Sequence, residues 1–90
     1  MADELQWIAV CGVGKGARPH EWRWVRELPS GWCAIVIDRS QCYNPPRPTE
    51  YHVAALRGTS QHYGRGPYDS LEVAKREALE LALIAEAQGI

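Results

Sequence analysis

The sequence lacks the features that mark several classes of protein. No apolar run approaches the roughly 18 residues that a membrane-spanning helix needs. The first four residues, Met1 to Glu4, include two acidic side chains, which is unlike the basic start of a secretory signal. These absences argue against membrane insertion and secretion, so a cytoplasmic protein is expected.

The chain also has few groups that bind metals. Three cysteines are an odd number, and no two of them have the Cys-x-x-Cys spacing, so free thiols are expected rather than a disulfide scaffold. None of the soft ligands stand at the two-to-five-residue spacing that builds a tetrahedral zinc site. We therefore expect no metal and no cofactor. The soft ligands are Cys11, Cys33, Cys42, His20, His52 and His62.

No group of residues has the pattern of a catalytic site. Cys33 stands among isoleucine and valine, which predicts a buried and inert thiol. The carboxylates form no obvious pair for acid–base chemistry. The Gly-rich segment 12–16 leads into a strand pattern rather than a helix, and no Ser or Thr follows Lys15. It therefore predicts a hairpin loop more than a phosphate site, and the chain is not expected to be an enzyme.

The C-terminal stretch carries the strongest structural signal. Asp69 suits the N-cap of a helix, and Glu72 stands three residues later, as in a capping box. No Gly or Pro interrupts residues 70–88, and Gly89 is placed to end the helix. The pattern predicts a helix from about residue 69 to 88. Its apolar stripe is mostly alanine, which suits close packing on a sheet: Leu71, Ala74, Ala78, Leu81, Ala82 and Ala85.

Four segments before this helix are rich in strand-forming residues, namely residues 5–11, 22–28, 32–38 and 51–57. They predict an α+β domain in which a three- to four-stranded antiparallel sheet packs against the one C-terminal helix. Ninety residues support a single domain, residues 1–90. Residues 39–50 and 58–67 are predicted to be loops. The second face of the sheet is expected to remain open and to bear Trp and Arg side chains.

Aromatic residues and arginines supply the candidate binding residues. The chain has four tryptophans but no phenylalanine, and clustered Trp marks interfaces. Arginines can also hold phosphates while aromatic rings stack on bases. Alternatively, the arginines cover apolar surface and form ion pairs with Glu21, Glu27 and Glu50. The predicted binding set, for a protein or a nucleic acid, is Trp22, Arg23, Trp24, Arg26, Arg39, Tyr43, Arg47, Arg57 and Arg65.

The end of the predicted helix is apolar almost all round, because Leu79, Leu83 and Ile84 lie outside the alanine stripe. One interpretation is a wide core face with one or two exposed residues. The other is that Ile84, together with Val73, meets a second protein surface. A homodimer would provide such a surface.

Two short motifs resemble the plant ethylene-response-factor DNA-binding domain and its relatives in phage integrases. They are Trp32-x-Ala34-x-Val36 and the run Gly66-Pro-Tyr-Asp-Ser-Leu-Glu-Val-Ala74. The resemblance implies a three-stranded sheet backed by a helix, which reads DNA through arginines such as Arg23, Arg26 or Arg39. The Pro-rich segment 45–48 and the acidic helix depart from that family.

The charge distribution favours a protein partner over a nucleic acid. Residues 68–90 carry two basic and five acidic side chains, and residues 1–67 carry eight basic and six acidic ones. The total of −1 is far from the strongly basic character of most nucleic-acid binders. We therefore expect a small non-enzymatic protein-binding module, of the accessory or inhibitor kind that bacteria, phages and mobile elements encode. The alternative is a sheet-based nucleic-acid-binding domain that uses arginines and aromatic residues.

Overall fold

The computed structural model describes residues 7–12 and 18–89. Each of its strands pairs antiparallel with the next strand in sequence, and a helix follows the last one. The predicted α+β class is confirmed, and the sheet has one strand more than the three or four expected. The strands are β1 (Ile8–Cys11), β2 (Trp22–Glu27), β3 (Cys33–Asp38), β4 (Tyr51–Arg57) and β5 (Ser60–Tyr63), and the α-helix is α1 (Leu71–Gln88). A one-turn 3₁₀ helix, Ser40–Cys42, follows β3.

The additional strand is β5, which lies inside the segment predicted to be a loop. Arg57 and Ser60 are paired, so only Gly58 and Thr59 connect β4 to β5. Gly58 has a φ of 58°, the left-handed conformation that tight hairpin turns need. The polar composition of Ser60–Tyr63 does not resemble a core strand, because β5 is an edge strand with little of its surface buried.

The helix begins and ends close to the predicted residues. Ser70, rather than Asp69, is the N-cap: its hydroxyl accepts a hydrogen bond from the backbone N–H of Val73 at 3.4 Å. Gly89 adopts the left-handed conformation at the C-terminus, as predicted, and its N–H donates to the carbonyl of Glu86. Both ends therefore have partners for some of the backbone groups that a helix leaves unpaired.

The core lies between α1 and the two central strands. Ala34 and Val36 of β3 lie beside Ala55 and Val53 of β4, and all four are buried. The alanine stripe of the helix packs on this face of the sheet, as predicted. Because alanine has only a methyl group, the helix backbone can approach the sheet closely. The buried alanines are Ala74, Ala78, Ala82 and Ala85.

The tryptophans lie on the helix side of the sheet, and not on the open face where we expected them. Trp24 is the cross-strand partner of Val36, which faces the helix, so both side chains lie on that side. Trp32 is fully buried, with its ring 5.4 Å from that of His62. Trp24 packs edge-on against Tyr51 with ring centroids 5.8 Å apart. The physical reason is that burying large indoles beside a narrow alanine-faced helix removes much apolar area from water.

Two predictions fall partly outside the described residues. The first predicted strand began at Leu5, and the structure describes β1 only from Ile8. Residues 13–16 of the predicted Gly-rich segment 12–16 are likewise outside the described part of the chain. Over the ranges 7–12 and 18–89, no helix is long and apolar enough to cross a membrane.

Candidate functional site

The candidate site is the face of the sheet opposite α1. The α-helix packs on β3 and β4 from one side, and within the described residues no second α-helix and no second sheet covers the opposite side. Strand alternation and the pairing register place thirteen side chains on this face. We call it the uncovered face: Ile8, Val10, Arg23, Val25, Glu27, Cys33, Ile35, Ile37, His52, Ala54, Leu56, Gln61 and Tyr63.

A row of apolar side chains crosses the whole uncovered face. Each member is the cross-strand partner of the next, in the order Ile8, Val25, Ile35, Ala54 and Tyr63. Ile35 and Ala54 near the centre of the row are buried, whereas Ile8 at one edge is 63% exposed and Tyr63 at the other edge is 72% exposed. An apolar row of this kind offers contact area to another molecule.

A buried carboxylate holds two arginines at one end of this face. Glu21 immediately precedes β2, and its side chain has no exposed area. Its Oε2 accepts a hydrogen bond from Nε of Arg23, and its Oε1 accepts one from Nε of Arg39, both at 2.6 Å. Arg23 is 18% exposed and Arg39 is 43% exposed. We call these three residues the Arg–Glu–Arg cluster.

The Arg–Glu–Arg cluster is charged and carries an excess of one positive charge. Burial on its own raises the pKa of Glu21. The hydrogen bonds from Arg39 and Arg23, together with their positive charges, outweigh burial, so the pKa of Glu21 lies below its ordinary value. Glu21 therefore stays ionised at neutral pH, and two guanidinium groups face one carboxylate.

The cluster borders a shallow cavity of about 250 Å³ on the uncovered face. The phenolic hydroxyl of Tyr63, on its far side, donates a hydrogen bond to the side-chain oxygen of Gln61. The lining thus combines two guanidinium groups, aliphatic side chains and a tyrosine whose hydroxyl is hydrogen-bonded. The lining residues are Arg23, Ile35, Ile37, Arg39, Leu56, Gln61 and Tyr63.

The remaining predicted binding residues are spread over the molecule. Arg47 lies over the ring of Tyr43 at 3.9 Å in the loop after β3, a cation–π contact. Arg57 lies at the far end of β4, near Gly31. Arg26 is half-buried on the helix side of the sheet, as is Trp24, whereas Trp22 is 40% exposed. Of the nine predicted residues, only Arg23 and Arg39 belong to the Arg–Glu–Arg cluster.

The helix flank that we predicted as an oligomer contact is interrupted by charge. Val73 is half-buried and Ile84 is 48% exposed. At helical spacing, Glu77 and Glu80 lie between them on the same flank. Arg65 and both glutamates line a depression of about 500 Å³ beside Ile84. This flank is therefore mixed in polarity and not continuously apolar.

The thiols show no sign of pairing or activation. Cys11, Cys33 and Cys42 are all free. Cys33 is only half-buried, so the prediction of a buried thiol at this position is wrong. Burial, and to a lesser degree the negative charge of Glu27, raise the pKa of Cys33, so this thiol is protonated at neutral pH. Among the described residues, no group of three or more His, Cys, Asp or Glu side chains could hold a metal ion.

The predicted binding set omits three residues that define the site, Glu21, Ile8 and Tyr63. Glu21 did enter the alternative interpretation, in which arginines pair with carboxylates, and the structure shows two such pairs. One signal was present, since Glu21 and Arg23 are two residues apart at the start of a strand and so lie on the same face. Nothing local indicated that Arg39, 18 residues further on, would reach the same carboxylate. Tyr63 was assigned to a loop because β5 was not predicted.

No protein-family model, no curated protein and no solved structure matches this chain. The resemblance to the ethylene-response-factor and phage-integrase domains therefore stays a prediction.

Proposed function

We propose that this chain is a small non-enzymatic module that binds another protein through the uncovered face of its sheet. The observation that supports the proposal most directly is the apolar row, which ends in two highly exposed side chains, Ile8 and Tyr63. Exposed apolar surface costs free energy in water, and a partner that covers it recovers about 25 cal/mol per Å². The Arg–Glu–Arg cluster supplies a polar rim of defined geometry beside the row.

A protein partner fits this face better than a nucleic acid does. The exposed Trp22 lies on the helix side of the sheet, away from Arg23 and the cavity. Part of the positive charge at the cluster is neutralised by Glu21. Sheet-based nucleic-acid binders instead combine several stacking rings with unneutralised cations on one face. Tyr63 is the one tyrosine or tryptophan among the thirteen side chains of the uncovered face. The partner that suits this face has an apolar patch next to an acidic group.

We also propose a cytoplasmic location. Its support is the state of the cysteines, since the three thiols are unpaired and Cys11 is exposed. Exposed free thiols persist in compartments that are kept reducing.

The proposal is tested by capture with a matched pair of baits. Wild-type chain and an Ile8→Ser, Tyr63→Ala double variant are used to capture proteins from a nuclease-treated lysate of the native host. A protein that wild-type chain retains and the variant loses is then purified, and its direct binding to the wild-type chain is measured. Because both replaced side chains are exposed, the variant is expected to fold normally, which circular dichroism checks.

The outcomes separate protein from nucleic acid. Direct binding of the purified protein to wild-type chain, lost in the double variant, supports the proposal. If nothing binds after nuclease treatment, and gel shifts show nucleic-acid binding that weakens steeply with salt, the proposal is wrong. The chain would then belong to the nucleic-acid-binding class.

A further inference from the structure

We infer that the cavity beside the Arg–Glu–Arg cluster binds a carboxylate carried next to an apolar side chain, and that this pair of groups is the anchor of the protein partner. The identity of the biological ligand, a protein partner, rests on the proposed function. The preference for a carboxylate beside an apolar group is argued from the residues that line the cavity. The cavity has about the volume of one side chain with its neighbouring peptide groups, about 250 Å³.

The two guanidinium groups are held in place before any ligand arrives. Each contacts the fully buried Glu21 through Nε at 2.6 Å. A guanidinium whose Nε is engaged is fixed in orientation, and its planar fork matches the two oxygens of a carboxylate. A ligand therefore does not have to order either side chain on binding, which removes a usual entropic cost.

The charge around the cavity favours an anion. Two arginines and one glutamate leave a net positive charge at this end of the uncovered face. Apart from the thiol of Cys33 and the phenol of Tyr63, the other ionisable side chains on the face are Glu27 and His52. Glu27 lies at the opposite end of β2, four residues from Arg23, and His52 lies two strands away from Arg23. Neither is placed to cancel the excess positive charge.

The walls favour an apolar group beside that anion. Ile35 and Ile37 line the cavity but are only 5% and 9% exposed, so Leu56 and Tyr63 present most of its accessible apolar surface. A fully hydrated anion such as inorganic phosphate would leave this apolar surface exposed to water. A carboxylate attached to an aliphatic group covers both kinds of surface at once.

The test is a nuclear magnetic resonance titration with a small ligand that has both groups. N-acetylleucine is compared with its amide, which has the same aliphatic group and no charge, and with inorganic phosphate at equal ionic strength. We expect saturable shifts from N-acetylleucine at the Nε–H signals of Arg23 and Arg39 and at the methyl groups of Leu56. A ligand of so few atoms is expected to bind in the millimolar range.

Matched arginine variants locate the binding. Arg39→Gln is expected to weaken binding of N-acetylleucine about tenfold, because one charge-assisted contact is lost. Arg57→Gln removes an exposed arginine at the far end of β4 and is expected to leave the affinity unchanged. Amide fingerprint spectra of both variants show whether the fold is retained, and Arg23→Gln repeats the test at the second cation.

The results that would overturn the inference are distinct from those that bear on the proposed function. Absence of saturable shifts up to about 50 mM ligand, equal binding of the amide, or equal binding of phosphate each overturns it. If protein capture through the uncovered face persists while N-acetylleucine does not bind, only the carboxylate anchor is wrong. If N-acetylleucine binds and no protein partner is captured, the cavity binds a carboxylate as inferred, and the proposed protein-binding function is wrong.

Discussion

Glu21 accepts a hydrogen bond at 2.6 Å from Arg39, which lies 18 residues away in the sequence. The pairing of Trp22 with Asp38 sets this contact, because it brings the start of β2 beside the end of β3. The same carboxylate also binds Arg23. The buried carboxylate of Glu21 thus links the start of β2 to the end of β3 and holds both arginines of the candidate site.

Replacing Glu21 by glutamine should destabilise the fold by about 1–3 kcal/mol, because a neutral amide cannot satisfy two guanidinium groups in a buried position. Urea unfolding of the variant and the wild type measures the difference. The matched control is Glu27→Gln, which replaces an exposed carboxylate at the other end of β2. Its free energy of unfolding should lie within about 0.5 kcal/mol of the wild-type value. Equal stability of the two variants would contradict the assigned role of Glu21.

Acid should remove the contribution of Glu21. The pKa of this group is lower in the folded chain than its ordinary value of 4.5. Its contribution is therefore fully present above about pH 4.5 and is lost as the pH falls through the folded-state pKa. Urea unfolding from pH 7 to pH 3 measures the difference in unfolding free energy between wild type and Glu21→Gln, and this difference should become smaller below pH 4.5. A difference that is constant over this range would be inconsistent with the lowered pKa.

Enlarging one alanine at the helix–sheet contact should be costly. Ala78 is fully buried against the sheet, so Ala78→Leu should destabilise the chain by about 1–3 kcal/mol through overpacking. Ala87 lies on the exposed side of the same helix, and Ala87→Leu should have little effect. Thermal unfolding of the two variants measures this contrast. Similar melting temperatures would mean that the helix is not closely packed on the sheet.

The two candidate cap residues make a second matched pair. Ser70 accepts the hydrogen bond from Val73, so Ser70→Ala should cost about 1 kcal/mol. Asp69→Ala should cost less than about 0.5 kcal/mol, because Asp69 is exposed and one residue outside the cap. Urea unfolding of both variants decides the matter. A larger loss of stability for Asp69→Ala than for Ser70→Ala would identify Asp69, the residue that the sequence pattern favoured, as the N-cap.

The helix and β4 are predictable from sequence because their signals are local. The end of α1 at Gly89 follows from backbone chemistry at one residue, and its buried stripe follows from spacing along one segment. The strand β4 has the predicted bounds, Tyr51 to Arg57. In contrast, β5 is a short polar edge strand, and its only strong signal is the glycine at position 58.

The face of the sheet that the helix covers was not predictable from strand alternation. The pattern correctly places Trp22, Trp24 and Arg26 together on one side and Arg23 with Val25 on the other. It does not show which side is buried, because Ala34, Ile35, Val36 and Ile37 make β3 apolar on both. Only the packed helix distinguishes the two faces, so the indoles were predicted to lie on the open side.

The sequence suggested that arginines pair with Glu21, but the burial of Glu21 and its sharing by two arginines were not predictable, for a related reason. A charged residue before a strand is usually exposed. Its burial here depends on two cations, one of which reaches it only after β2 and β3 have paired. The arginines were identified as binding residues one by one, whereas their shared carboxylate is a property of the folded sheet.

The most direct test of the central claim is the affinity of the purified, captured partner for two double variants, measured by isothermal titration calorimetry. Ile8→Ser with Tyr63→Ala removes exposed apolar side chains from the uncovered face, and Leu83→Ser with Ile84→Ser removes the two exposed large apolar side chains of the helix. Binding through the uncovered face predicts that the first variant weakens affinity by about tenfold or more and the second by less than about twofold. A loss confined to the helix variant would contradict the account and would identify the helix end as the contact surface.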